Sequence, residues 1–220
     1  MSIKENLARI EAELPSGTKL IAVSKYHTVE EIQKAYEAGQ RRFGENRVQE
    51  LIEKQPLLPE DIEWHLIGTL QRNKVKYVVP FVRMIHSVDS IRLLREIEKQ
   101  CIRLQREELQ VLLQIHISGE ETKHGFSREE LDELLQSGVL QELKHTRVVG
   151  IMGMASLTED KRIVEDEFER MQELFQELKG GAFAGDNAFR ELSMGMSQDY
   201  EIALKHGATF IRLGHAVFGE

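Results

Sequence analysis

Lys25 closes the run Lys19-Leu20-Ile21-Ala22-Val23-Ser24-Lys25, and its amine stands where a strand-like segment ends. Four consecutive apolar or small residues in that run read as a buried strand. A lysine at such a strand end is pushed toward its neutral form by desolvation, and a neutral amine attacks an aldehyde to give a Schiff base. The run is equally compatible with a rim lysine whose stem packs on protein while its head stays in water. Three more polar groups follow strand-like segments. Gly44-Glu45-Asn46 is a tight turn that presents an amide, Ser193-Met194-Gly195-Met196-Ser197 brings hydroxyls and a glycine ahead of a helix, and Ile211-Arg212-Leu213-Gly214-His215 ends the last apolar run.

These residues need a frame. The hydrophobic pattern predicts strands over residues 19–24, 41–43, 63–67, 83–86, 109–117, 146–152, 190–194 and 209–213. Helical periodicity lies between them. It is clearest over residues 160–179, where Ile163, Val164, Phe168, Met171, Leu174, Phe175 and Leu178 share one face, and over 89–105 through Ile91, Leu94, Ile97 and Cys101. Thr28 with Glu31, and Ser127 with Glu130, make capping boxes that start helices after the first and fifth strands. Residues 179–187, with Gly180, Gly181 and Gly185, read as a mobile loop. Eight strands alternating with helices predict an α/β fold, a (β/α)8 TIM barrel formed by residues 1–220 as a single domain, with an extra N-terminal helix over residues 1–14. Losing the short strands 41–43 and 83–86 would leave an open doubly wound sheet instead.

In a barrel, chemistry is built at the C-terminal ends of the strands, and the loops after strands seven and eight commonly cradle a phosphate. The Ser193–Ser197 segment and Gly214, where backbone can approach a ligand closely, fall at those two places. Serine and glycine are also what a plain turn and helix cap would use. A phosphate site facing a lysine across a barrel mouth fits pyridoxal 5'-phosphate (PLP), with its aldehyde on Lys25 and its phosphate held opposite. Arg212 shares a strand face with Gly214, so its side chain is expected to point inward toward the pyridine nitrogen. A permanent cation there keeps that nitrogen unprotonated and weakens the ring as an electron sink. The competing role for Arg212 is a salt bridge inside the barrel.

Composition narrows the function classes. The 220 residues are 41% hydrophobic, enough for one substantial core. Net charge is -8, with 29 basic and 37 acidic residues spread along the chain, so no basic stripe is available to grip nucleic-acid phosphates. Cys101 is the one cysteine, which excludes an internal disulfide and fits a reducing compartment. No apolar run approaches a membrane span, and the N-terminus reads as an amphipathic helix rather than a signal sequence. A cytoplasmic monomer is expected. His65, His86 and His116 come singly, without the paired spacing or clustered carboxylates of a metal-dependent hydrolase, and read as core or rim residues.

Taken in order, Ala22-Val23-Ser24-Lys25, Phe43-Gly44-Glu45-Asn46 with Val48-Gln49-Glu50, Trp64-His65-Leu66-Ile67-Gly68, Gln71-Arg72-Asn73-Lys74, Ser87-Val88-Asp89, Ser118-Gly119-Glu120, Lys123 with Gly125, Leu192-Ser193-Met194-Gly195-Met196-Ser197 and Arg212-Leu213-Gly214 with Phe218-Gly219 resemble the pyridoxal phosphate homeostasis protein family. The resemblance covers residues 19–220. It implies a PLP-binding barrel similar to the N-terminal domain of alanine racemase. In that reading Lys25 carries the cofactor as an aldimine, Ser193 and the Gly214–His215 backbone hold its phosphate, Arg212 faces the pyridine nitrogen, and Asn46 lies beside the ring. Arg47 and His116 depart from the family's aromatic residue and asparagine, which touches neither the lysine nor the phosphate motifs.

The resemblance implies a protein that holds, buffers or delivers PLP, with PLP-dependent apo-enzymes as recipients. The alternative is a PLP-dependent enzyme acting on amino acids. Racemisation needs acid/base groups on both faces of the substrate, and alanine racemase takes a tyrosine for this from a separate C-terminal domain. The sequence reaches Glu220 a few residues after the eighth strand, so no such domain is expected, and nothing places Tyr26 or Tyr200 over the ring. A non-catalytic carrier is therefore the expected function.

Overall fold

A computed structural model describes residues 1–118 and 125–219 of the chain. Eight parallel strands close into a barrel, each paired with the next and the last with the first. They are β1 (Lys19–Val23), β2 (Arg42–Glu45), β3 (Glu63–Leu66), β4 (Met84–Val88), β5 (Leu109–Gln114), β6 (Thr146–Met152), β7 (Glu191–Ser193) and β8 (Phe210–Leu213). Around and between them run α1 (Ile3–Glu13), α2 (Val29–Glu37), α3 (Val48–Lys54), α4 (Val75–Val78), α5 (Ile91–Arg103), α6 (Arg128–Gln136), α7 (Val139–Glu142), α8 (Lys161–Gly180), α9 (Tyr200–Lys205) and α10 (His215–Phe218). This is the (β/α)8 TIM barrel, with α1 as the additional helix in front.

Strand alternation builds two cores. Inward residues Ile21, Met84, Leu112, Val149, Met152 and Phe210 fill the barrel, while the outward set packs beneath the helices in one larger cluster. At the N-terminal end of the strands, Lys19 pairs with Glu191 and Arg42 with Glu63, so ion pairs floor the barrel. Thr209 adds a hydroxyl donated to Glu191 at 2.7 Å. Both capping boxes form, each serine or threonine oxygen accepting an N–H that helix geometry leaves unpaired. A third, Ser2 with Glu5, starts α1.

Several details differ from the sequence pattern. β4 runs two residues past His86 because Ser87 and Val88 are buried as well. β5 stops at Gln114, and Ile115 pairs instead with Phe126. Ile163 on α8 is 45% exposed and lies off the apolar face. The segment 179–187 is tied down rather than loose: Phe183 is buried, stacks on Phe189 with centroids 4.0 Å apart, and donates its N–H to the Leu178 carbonyl. Of the motif residues, Gly119, Glu120 and Lys123 lie outside the described residues.

Candidate functional site

Strand pairing brings the two ends of the chain's barrel together at one point of the C-terminal rim. β1 and β8 align Ile21 with Arg212 and Ala22 with Leu213, and Gly214 follows so closely that a Cβ there would lie 3.3 Å from the Val23 carbonyl. Lys25 is two residues further along β1's path. The strand itself ends at Val23 and Ser24 is buried, after which the chain turns, His27 N–H donating to the Ser24 carbonyl at 3.1 Å. Lys25 and Tyr26 form the corner of that turn and both are exposed. The residue is therefore exposed to water, as the rim-lysine reading of the run has it, and is not a desolvated strand end. Leaving the strand before Lys25 is what frees it.

Of the two corner residues only Tyr26 has positive φ, 69°. That is the pattern of a type II turn, whose third residue is usually glycine. A tyrosine held there costs on the order of 1–3 kcal/mol and stays only where neighbours impose it. Lys54, at the end of α3, donates to the Ser24 carbonyl at 2.8 Å and to the Glu45 carboxylate at 2.7 Å. Glu50, one helical turn earlier, accepts the Tyr26 N–H at 3.1 Å and pairs with Lys54 at 3.3 Å. Glu45 also accepts the Ser24 hydroxyl at 2.7 Å. Burial pushes the Glu45 carboxyl above its ordinary range, with Lys54 and Ser24 pulling the other way. Burial acts in the same direction on Glu50, but the Tyr26 N–H and Lys54 outweigh it and hold the group below that range.

Inside the barrel, directly under the rim, four inward side chains from four strands form one hydrogen-bonded column. His65 of β3 meets His86 of β4, Nδ1 to Nε2, at 2.9 Å, and His86 Nδ1 meets the Ser193 hydroxyl of β7 at 3.0 Å. Arg212 of β8 donates to the same hydroxyl at 2.7 Å and to the Gly153 carbonyl at 3.0 Å. Burial, followed by the charge of Arg42, drives the His65 pKa down to about 3, and burial lowers that of His86 well below its usual value. Both rings are neutral at physiological pH. Arg212 is pulled down to about 10 by burial, so it remains a cation. Among the described residues it makes no ion pair, and its two hydrogen bonds use neutral acceptors, although a guanidinium carries five N–H donors. A buried cation of this kind is costly unless an acceptor from outside the fold completes it.

The remaining candidates are spread around the same rim. Asn46 follows β2 half-buried, its backbone pressed on Gly68, where a Cβ would come within 2.2 Å of the Asn46 carbonyl. His215 is exposed and opens α10, whose third and fourth N–H groups return to Gly214, leaving those of His215 and Ala216 directed outward from the first turn. Ser193 is buried with its hydroxyl shared between Arg212 and His86, so its side chain lies within the column beneath the rim. Gly195, with φ of 94°, keeps the loop after β7 free of a side chain, since a Cβ would meet Ala203 at 2.7 Å. No group of three histidine, cysteine, aspartate or glutamate side chains that would hold a metal occurs among the described residues. Nor is any helix there long and apolar enough to cross a membrane.

An acceptor-seeking cation under the barrel rim, backbone N–H groups near it and an exposed amine in the turn after the adjoining strand suit a ligand with an anionic group, a ring acceptor and an aldehyde. The family model for the alanine racemase N-terminal domain matches residues 1–220, which sets the class of this barrel. The pyridoxal phosphate homeostasis protein of Aquifex aeolicus is 40% identical over 203 residues, 92% of this chain and 86% of that one. PipY of Synechococcus elongatus, in a structure without PLP, aligns with a TM-score of 0.93 at 38% identity, covering 99% of this chain and 100% of that one. With PLP bound, the same protein aligns at 0.90 and 39% identity, with the same coverage. The chain belongs to the pyridoxal phosphate homeostasis protein family.

Proposed function

We propose that this chain, acting as a single binding domain, holds PLP in the barrel mouth and takes part in keeping its intracellular level, without turning over a substrate. The observation that carries the reading is Arg212, a buried guanidinium whose hydrogen bonds among the described residues go to neutral groups, on the strand paired with the one leading to Lys25. The structure of PipY with PLP bound, at 39% identity, supports the same ligand. Lys25 supplies the amine: its condensation with the PLP aldehyde forms an imine and releases water, and hydrolysis reverses the step. Arg212 offers its free donors to the pyridine nitrogen, Asn46 flanks the ring, and Ser193 with the Gly214 and His215 backbone makes up the phosphate side. Ser193 contributes by accepting from and so holding the Arg212 guanidinium, while the N–H groups of His215 and Ala216 at the start of α10 would serve the phosphate.

A carrier role follows from what surrounds the amine. Amino-acid chemistry on PLP needs a positioned acid or base on each face of the bound substrate. The Tyr200 hydroxyl is engaged by Glu13 at 3.0 Å and Tyr26 is 72% exposed. Exposure of Lys25 instead suits an imine that exchanges with solution and passes PLP to apo-enzymes in the cytoplasm, with the protein working as a monomer. The test is the absorption spectrum of the purified protein before and after borohydride. Wild type is expected to be yellow and to fix PLP on Lys25 on reduction, as located by mass spectrometry. Lys25→Ala is expected to do neither, and a pyridoxyl adduct absent from Lys25 in the wild type would overturn the reading.

A further inference from the structure

Lys25 occupies the second position of a turn whose third residue, Tyr26, has a φ of 69° and no glycine's freedom to adopt it. Nothing in the local sequence Ser24-Lys25-Tyr26-His27 favours that conformation. What fixes it comes from α3 and the end of β2. Glu50 holds the Tyr26 N–H, Lys54 holds the Ser24 carbonyl, and Glu45 holds both the Ser24 hydroxyl and Lys54. The peptide groups on either side of Lys25 are thus gripped, while the Lys25 side chain itself has no hydrogen bond among these groups. Lys54 and Glu45 are buried and Glu50 is half-buried, so the grip is part of the packed structure and not a surface pairing.

We propose that Glu50, braced by Lys54 and Glu45, is a positioning residue for the Lys25 amine: it locks the left-handed Tyr26 so that the turn presents Lys25 to the barrel mouth. Without it, Tyr26 relaxes to negative φ and the amine swings off its approach to a ligand. The inference deepens the function proposed above and rests on Lys25 being the reactive amine.

Its test uses Glu50→Ala, which removes the acceptor, Glu50→Gln, which keeps one, and Tyr26→Gly, which makes the turn conformation free of steric cost. Purified full-length protein is mixed with PLP, quenched with borohydride at intervals, and the pyridoxyl adduct on Lys25 is quantified by mass spectrometry. Glu50→Ala is expected to slow adduct formation about tenfold or more, because a misplaced reacting group loses its near-attack geometry. Glu50→Gln stays within about threefold of wild type, and adding Tyr26→Gly to Glu50→Ala restores the rate to the same range, because glycine holds positive φ unaided. A role confined to α3 stability gives no rescue by a glycine in a different element. A wild-type rate in Glu50→Ala, or no recovery in the double variant, overturns the proposal. Hydrogen exchange separates this from the carrier reading. If wild type forms no adduct on Lys25, the carrier reading fails and takes the positioning of a reactive amine with it, while the turn lock by Glu50 is judged separately by whether the Tyr26 amide is protected in wild type and loses that protection in Glu50→Ala.

Discussion

His65 and His86 face each other nitrogen to nitrogen across the inside of the barrel, 2.9 Å apart, with no carboxylate among the described residues bonded to either ring. Burial keeps both neutral in the folded state, and their ordinary value of 6.5 returns on unfolding. Between the folded and unfolded values the unfolded chain binds more protons. The stabilising contribution is therefore complete above pH 6.5 and is lost as pH falls toward the folded values, about 3 for His65. The unfolding free energy from urea curves taken from pH 6.5 down to 5, above the range where most carboxylates titrate, should fall with a slope that steepens toward about 1.4 kcal/mol per pH unit for each fully neutral histidine. His65→Asn should flatten the slope by one proton's worth, whatever it does to stability at pH 7. An unchanged slope would contradict a neutral His65.

Arg212 sits in the same column, and its removal should split stability from binding. Arg212→Met takes away a buried cation that has no ion-pair partner among the described residues. The ligand-free protein is expected to lose no more than about 1 kcal/mol, or to gain stability. PLP retention, followed by absorbance after gel filtration, should nevertheless drop sharply. Equal losses in both measurements would mean that Arg212 serves the fold first.

Gly68→Ala probes the turn that carries Asn46. Its new methyl would fall 2.2 Å from the Asn46 carbonyl and 2.7 Å from the Asn46 Cα, so backbone must yield. Thermal unfolding should show a loss of about 1–3 kcal/mol, the usual range for overpacking. PLP affinity should weaken further than Asn46→Ala alone weakens it, since the whole 44–46 turn is displaced.

Cys101 offers a probe of opening. The thiol is fully buried in α5 and burial raises its pKa to about 11, so native protein should resist a thiol reagent at pH 7.5. Labelling followed by mass spectrometry should accelerate in urea along the unfolding curve. Saturating PLP should slow it, because a ligand bound only by the folded state lowers the open population.

Much of this molecule was legible in its residues, for reasons that differ by element. The barrel followed from eight apolar runs at regular spacing, and even the short segments around Phe43 and Ile85 pair on both sides. Helix starts at Thr28 and Ser127 were marked by capping chemistry that is local and therefore visible. Arg212 pointed inward as period-two alternation requires. The exposure of Lys25 was one of two readings its run allowed, and the turn that produces it is held by Lys54 and Glu50, 30 and 24 positions later than their partners. Those two lie one turn apart on α3, a spacing that an ordinary surface pair shares. The histidine column was missed. Each of His65, His86, Ser193 and Arg212 lies on the inner wall of its strand, but that they share one height depends on strand stagger, which sequence alone does not give.

The pairing of β1 with β8 makes the ligand pocket a product of closure. Lys25 follows the first strand made and Gly214 the last, so a chain emerging from the ribosome cannot bring the two together until its final strand docks beside its first. On the proposed function, occupancy by a vitamin B6 coenzyme would report that the cylinder has sealed, and a lesion that springs this seam would release the bound molecule before the rest of the wall gives way.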